Sequence, residues 1–329
     1  MIAGFSLSQF SGLGLTFANS ITFNHCLLSQ LICFCQNSFK MNSTYSPHPL
    51  KPYKDLIIST ALTGNIPSKL KYPLLPVAPE EISEDAINCM AEGCSVVHIH
   101  ARDANGMPSH SKALYEDIFG LIRAQSLDII ICASTSSRIS RDVNTRLSAL
   151  EVNPALRPDM ASITLGSCNM RETVSINNKS EIIDMLQAFE DLNVKPEFEI
   201  FDLGMVYNLL ELIMDGRVLG TPIVNILLGN EGTAPAFIGD LDLLQRRLPG
   251  NTEWAAAGIG HFQRPMTIAA AVMGGNVRTG LEDNPRGNGK TPWGNVNAVQ
   301  FAKQCALLVG RSLSSTSATR IRYGLNHPI

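Results

Sequence analysis

The chain has 329 residues, of which 45% are hydrophobic and 17% charged, with a formal net charge of −3. That apolar supply is enough for one large α/β barrel or two ordinary domains. The near-neutral charge gives no electrostatic support for nucleic acid or an anionic membrane as partner, and no apolar run reaches the roughly 18 residues of a transmembrane helix.

Residues 1–53 read differently from the rest. No Asp or Glu precedes Asp55, Lys40 is the only Lys before position 51, and the first Arg is Arg102. Residues 1–40 mix Phe, Leu, Ser, Asn and Gln with no clean strand or helix period. A signal peptide needs a charged start and a small-residue cleavage site, and a transit peptide is Arg-rich. The remaining reading is a poorly ordered N-terminal extension, with Met41 the natural start of the compact protein. Cysteines 26, 33, 35, 89, 94, 132, 168 and 305 form no CxxC pattern, which suits reduced thiols in a cytoplasmic protein.

From Asp55 a strand-then-helix rhythm begins, expected to fill residues 54–329 as one domain. The apolar runs are Leu56–Leu62, Ser95–His100, Ile129–Ala133, Met160–Leu165, Phe198–Phe201, Ile223–Leu228, Trp254–Ala257 and Val277–Leu281. Helix-forming segments lie between most of them. Pro79–Ile87 opens with Pro and acids, Ser180–Leu192 spaces its apolar residues on one face, and Val296–Val309 closes the set. Eight parallel strands alternating with helices predict a (β/α)8 TIM barrel, with a doubly wound open sheet as the alternative. Each run is followed by polar residues: Thr63-Gly64-Asn65, His100 to Arg102, Ser134 to Ser137, Gly166 to Asn169, Asp202, Gly229 to Gly232, Gly258 to Gly260 and Glu282 to Asn284. A barrel gathers all of these around one mouth, whereas an open sheet spreads them along an edge of roughly 40 Å.

The chemistry concentrates in Val96-Val97-His98-Ile99-His100-Ala101-Arg102-Asp103. Residues i and i+2 of a strand share a face, so His98 and His100 aim two imidazoles into one space. Strands 2 and 8 of a barrel flank strand 1, which brings Glu282 within reach as a third ligand. Two neutral imidazoles and one carboxylate leave a coordination position open, as in catalytic zinc sites, and imidazole suits Zn²⁺ better than Mg²⁺ or Ca²⁺. The alternatives are histidines hydrogen-bonded at a barrel rim and a surface carboxylate. Arg278 beside Asp283 reads as a cation next to a general base, or as a structural ion pair. Glu197 and Glu199 share a strand face, and Glu199 is nearer the mouth. Ser134, Thr135 and Ser167 are neutral donors for a substrate oxygen, or turn formers, which is the reading for Ser136, Ser137 and Ser140.

Several motifs together resemble the β-keto acid cleavage enzyme family over residues 55–325. They are Ala61-Leu62-Thr63-Gly64-Asn65, His98-Ile99-His100-Ala101-Arg102-Asp103, Gly106-Met107-Pro108-Ser109, Gly166-Ser167-Cys168-Asn169, Pro196 to Asp202, and Gly274 to Asn284 with its Arg278-Thr279-Gly280-Leu281-Glu282-Asp283-Asn284 core. The resemblance implies a TIM barrel, usually tetrameric, with one Zn²⁺ held by His98, His100 and Glu282. It implies Arg278 and Asp283 as the deprotonating pair, Ser134 as a substrate-holding residue, and Ser167 and Glu199 as contacts to the substrate's far end. The implied reaction condenses a β-keto acid with acetyl-CoA and cleaves the product to acetoacetate and a new acyl-CoA. The chain departs from the family in three places. Asn65-Ile66 supplies no acid after the first strand, Ser134-Thr135-Ser136-Ser137-Arg138 replaces a Gly-rich turn, and Asn230-Glu231 stands where small residues are common. A zinc-dependent hydrolase and a catalytically silent ligand-binding barrel are the competing readings.

Overall fold

The aliphatic runs pair side by side in parallel, and the set closes on itself. The computed structural model describes residues 53–170, 173–287, 289 and 291–325. Its barrel strands are β1 (Ile58–Ala61), β2 (Val96–Ile99), β3 (Ile130–Ala133), β4 (Met160–Thr164), β5 (Lys195–Ile200), β6 (Ile223–Leu228), β7 (Glu253–Gly258) and β8 (Asn276–Thr279). They form a closed ring in the order β1-β8-β7-β6-β5-β4-β3-β2, which excludes the open sheet. Register sets the site: His98 lies opposite Ala61 on β1 and Cys132 on β3, Arg278 lies opposite Ser59, and Glu199 lies opposite Thr164. The expectation for residues 1–53 falls, Tyr53 apart, outside the described residues.

The helices are α1 (Pro79–Ala91), α2 (Lys112–Gln125), α3 (Val143–Leu147), α4 (Lys179–Asp191), α5 (Leu203–Met214), α6 (Ile238–Arg247), α7 (Gln263–Val272), α8 (Asn295–Leu308) and α9 (Thr316–Tyr323). Local chemistry starts them where it should. Pro79 opens α1, and Glu81 accepts from the Val77 and Ala78 amides. Asn178 and Glu181 form a capping box on α4. Asp202 caps α5 by accepting from the Met205 amide, so it serves the helix and not the mouth. At the other end of the barrel Arg320 of α9 bonds the Asp128 and Ile129 carbonyls and Asp159. Tyr323 packs with Ile57, Val96, Ile130, Cys132, Met160 and Ile223, so α9 stoppers the strands' N-terminal ends.

Several strand boundaries differ from expectation by a residue or more, and two of them have a clear physical reason. β5 starts at Lys195, ahead of the apolar run at Phe198, because its inward face carries Glu197 and Glu199. β8 stops at Thr279 because Gly280 turns to φ +127°, where an added Cβ would meet the Ala61 carbonyl oxygen at 2.2 Å.

Asn295, at the start of α8, ties the mouth together. Its Oδ1 accepts from the Leu281 amide at 2.7 Å, and its Nδ2 donates to Leu62 O at 3.0 Å and to Asp85 Oδ2 at 2.6 Å. Burial pushes the Asp85 carboxyl up to about 6, against the opposing Asn295 hydrogen bond. A folded-state pKa above the unfolded one makes stability fall as pH rises from about 4 to 6. Asp85→Asn keeps an acceptor for Asn295 and removes that charge. It should therefore raise unfolding free energy by about 1–3 kcal/mol at pH 8 and by almost nothing near pH 4. Urea melts at both pH values measure this, and an equal gain at both would exclude the titration as its cause.

Candidate active site

His98 ends β2 on its inward face, while Val97 and Ile99 pack outward into the helix layer. His100 follows on the same side, and the two Nε2 atoms lie 3.1 Å apart. His100 Nδ1 donates to Asn65 Oδ1 at 2.9 Å, because an amide oxygen can only accept. Its Nε2 is therefore the nitrogen turned toward His98 and Glu282, and the one that would meet a cation. Burial, with Arg278 adding to it, holds His98 well below the usual imidazole range. Glu282, in the turn after β8, places Oε1 3.1 Å from His100 Nε2 and Oε2 3.6 Å from His98 Nε2. Burial opposes its ionisation, but His100, Arg278 and His98 outweigh that and hold the carboxyl well below its ordinary value.

Ligand atoms of His98, His100 and Glu282 lie within 4.8 Å of one another. Glu282 Oε2 is buried without a hydrogen-bond partner. Two imidazole nitrogens and a carboxylate face one another within coordinating reach, an arrangement that a cation would complete. The donor set thus fits a divalent cation with a position left open.

Backbone geometry makes this convergence possible. Gly64 adopts φ +67°, and a Cβ there would sit 2.5 Å from Glu282 Cγ. Arg102, nearly sealed from solvent, bonds the Gly64, Pro67 and Gly106 carbonyls and fixes the loop after β1. Gly64→Ala should push Glu282 out of line and weaken metal retention by roughly 10-fold or more, the scale of disturbing a ligand's support. Competition with a chelator reads this, and unchanged retention would mean Glu282 is not a ligand.

Arg278 is fully buried and meets three carboxylates. Its Nε and Nη2 bond Asp283 at 3.1 and 3.3 Å, Nη1 bonds Glu199 at 3.1 Å, and Nη2 lies 3.4 Å from Glu282. Burial opposes its charge, but these acids raise its pKa well above the ordinary value. Asp283 is raised, by burial first and by Glu282, with Arg278 opposing. That combination keeps Asp283 oriented and makes it a stronger base than a free carboxylate.

The neutral donors divide. Thr135 Oγ1 donates to Ser162 O at 2.5 Å, and Ser167 Oγ donates to Asn177 O and accepts from Asn177 N. Both hydroxyls are committed to loop structure, as are Ser137 with Ser175 and Ser140 with the Asp142 amide. Ser134 Oγ only accepts, weakly, from the Ser136 amide at 3.4 Å, which leaves its proton available. Glu199 is also committed, since its second oxygen accepts from Thr164 Oγ1 at 2.9 Å.

A deeper group lies beneath His98. Glu197, raised to about 7 by burial, approaches His98 Nδ1 at 3.8 Å and accepts from Cys132 Sγ at 3.3 Å. Its parity with Glu199 was visible. Its place beneath His98 depends on cross-strand register, which no local pattern reports. Asn65 as the partner of His100 was missed for the same reason.

Comparison with known proteins agrees with this geometry. The family model described as beta-keto acid cleavage enzyme matches residues 55–325. The 3-keto-5-aminohexanoate cleavage enzyme of Fusobacterium nucleatum is 30% identical over 80% of this chain and 96% of that protein. The 3-oxoadipate:acetyl-CoA acetyltransferase of Cupriavidus necator is 31% identical over 82% of this chain and 94% of that protein. Among solved structures, apo ObcA superposes with a TM-score of 0.68 at 20% identity, over 77% of this chain and 66% of that one, a likeness of fold.

Proposed function

The chain belongs to the beta-keto acid cleavage enzymes, and on that premise we propose that it exchanges acyl groups between a β-keto acid and acetyl-CoA with one zinc ion held by His98, His100 and Glu282. In balanced form, R–CO–CH2–COO⁻ and acetyl-CoA give R–CO–SCoA and acetoacetate. The observation that carries the reading is the convergence of His98, His100 and Glu282 beside the Arg278–Asp283 pair. Relatives named as acetyl-CoA transferases of keto acids, including the 3,5-dioxohexanoate:acetyl-CoA acetone transferase of Paraburkholderia graminis, support it.

When bound, the ion would supply Lewis acidity at the oxygens of the keto acid. The protein's own groups do the rest. Asp283 takes the proton from carbon 2 of the keto acid, and its raised basicity suits that task. Arg278 keeps Asp283 oriented through two hydrogen bonds and balances the charge of its neighbours. Ser134 donates to a substrate oxygen. Asn65 holds the His100 tautomer that faces the ion.

The test is incubation of the purified protein with a panel of β-keto acids and acetyl-CoA. Acetoacetate and a new acyl-CoA in equal amounts are the expected products. Free CoA without a new thioester would favour the hydrolase instead. The proposal extends to a cytoplasmic homotetramer, in which a second copy would cover exposed apolar residues such as Ile268 and Val272 of α7 and Leu307 and Leu308 of α8. Among the described residues no helix is long and apolar enough to cross a membrane.

A further inference from the structure

The loop after β3 is stapled to the hairpin after β4. Ser137 Oγ meets Ser175 Oγ at 3.1 Å and accepts from the Ile176 amide, while Cys168–Asn169 pairs with Val174–Ser175. Arg138 follows directly. It is half-buried, and its guanidinium touches Met170 Sδ at 3.4 Å on the same hairpin. It makes no ion pair with any described residue, and unlike Arg102 and Arg146, whose guanidinium groups also meet no carboxylate but bond carbonyl and amide oxygens, its guanidinium has its one hydrogen-bond contact among the described residues with a thioether sulfur. Arg138 and Glu199 both act on the Cys168 thiol of that hairpin, with opposite charges. Burial pushes the Cys168 thiol up to about 11, with Arg138 opposing the rise and Glu199 and Asp202 adding to it.

The described acids on the inner side of the mouth are already engaged. Glu199 is held by Arg278 and Thr164, Asp283 by Arg278, and Asp202 by the Met205 amide. Asp103 caps its own turn by accepting from the Asn105 and Met107 amides. Glu282 faces the two imidazoles. Ile66, past the end of β1, presents an exposed hydrocarbon. Glu231, in the loop after β6, is an exposed rim carboxylate. A half-buried guanidinium that pairs with no described acid therefore lies in a loop at the strands' C-terminal ends, where the described inner carboxylates are spoken for. A planar guanidinium fork matches a carboxylate, and a partly desolvated one gains most from a bidentate partner.

We infer that Arg138 receives a second carboxylate at the distal end of the keto acid, so that the enzyme selects an oxo-dicarboxylic acid over acids with neutral or ammonium ends. This rests on the acyl-exchange reading and names the substrate class of the same site. Arg138 is thereby a specificity-determining residue of the loop after β3.

The test compares three β-keto acids of matched length, ending in carboxylate, methyl and ammonium, each with acetyl-CoA, in the full-length zinc-loaded protein and in Arg138→Met and Arg138→Lys. The carboxylate-ended acid should exceed the other two in kcat/KM by roughly 10- to 100-fold. Arg138→Met should erase most of that ratio through KM for the keto acid, and Arg138→Lys should restore part of it. Thermal melting of both variants verifies that they fold. Turnover of the panel with no preference for the carboxylate end, or a preference that survives in Arg138→Met, overturns the inference while leaving acyl exchange in place. A best substrate with an ammonium end overturns it in favour of Glu231. A rise in KM for acetyl-CoA that is equal across the panel also overturns it, since Arg138 would then bind the CoA phosphates. No new acyl-CoA from any of the acids overturns acyl exchange and this inference together.

Discussion

Glu282→Gln should leave a folded barrel that no longer keeps its metal, with retention weakened by roughly 100-fold or more and turnover lost with it. The substitution preserves the side chain's shape and removes the one formal negative charge that meets both imidazoles. His98 and His100 alone are two neutral donors, too few for a closed or catalytic zinc site. Asp283→Asn makes the contrast. Asp283 binds Arg278 through both oxygens, and the positions that face the ion belong to Glu282. This variant should retain metal and lose roughly 100- to 10,000-fold in kcat, the range of a general base. Metal content by mass spectrometry alongside kcat separates the two. Equal metal loss in both variants would refute the division between ligand and base.

Arg278→Met should cost about 3–5 kcal/mol of stability, the most damaging single change at the mouth. The guanidinium is fully buried and answers Glu199, Glu282 and Asp283 together. Its removal leaves three acids facing a methionine. They respond by binding protons, so the loss should be larger at pH 8 than at pH 5, where protonation relieves part of the repulsion. Arg278→Lys keeps the charge but cannot bond Asp283 through two nitrogens while reaching Glu199, and should recover part of the stability and little of the turnover. Denaturant titrations at the two pH values supply the numbers. A loss below about 1 kcal/mol for Arg278→Met would mean that the acids are not held by this residue.

Much of the frame is legible in the chain because its signals are local. Alternation puts His98 and His100 on one face, and eight short aliphatic runs with polar ends describe a ring whose ends meet. The segment from Arg278 to Glu282 is similarly readable, although the strand ends at Thr279 and Gly280 turns the chain so that Arg278 and Glu282 still meet. What was not legible depends on which strands become neighbours and where side chains end. The partners of Glu199, expected as a substrate contact, are Arg278 and Thr164 on other strands. Thr135 and Ser167, expected as substrate donors, direct their protons to carbonyls of neighbouring segments, and neither pairing has a local signal. The pairings of Asn65 with His100 and Glu197 with Cys132 join strands far apart in sequence. Arg138 drew notice only as a departure from a Gly-rich turn. Its lack of an acid becomes visible once the hairpin after β4 is in place.

Two groups among the described residues could take a cation: His98, His100 and Glu282 at the mouth, and His98, Cys132 and Glu197 below it. The lower group is sealed, and burial raises its thiol well above the ordinary cysteine range, so it offers no ready thiolate and no path for substrate. Anomalous diffraction at the zinc edge from crystals of the metal-loaded protein decides between them. The expected result is one peak about 2.0–2.2 Å from His98 Nε2, His100 Nε2 and a Glu282 oxygen. A peak against Cys132 and Glu197, or none near the two imidazoles, would contradict the account.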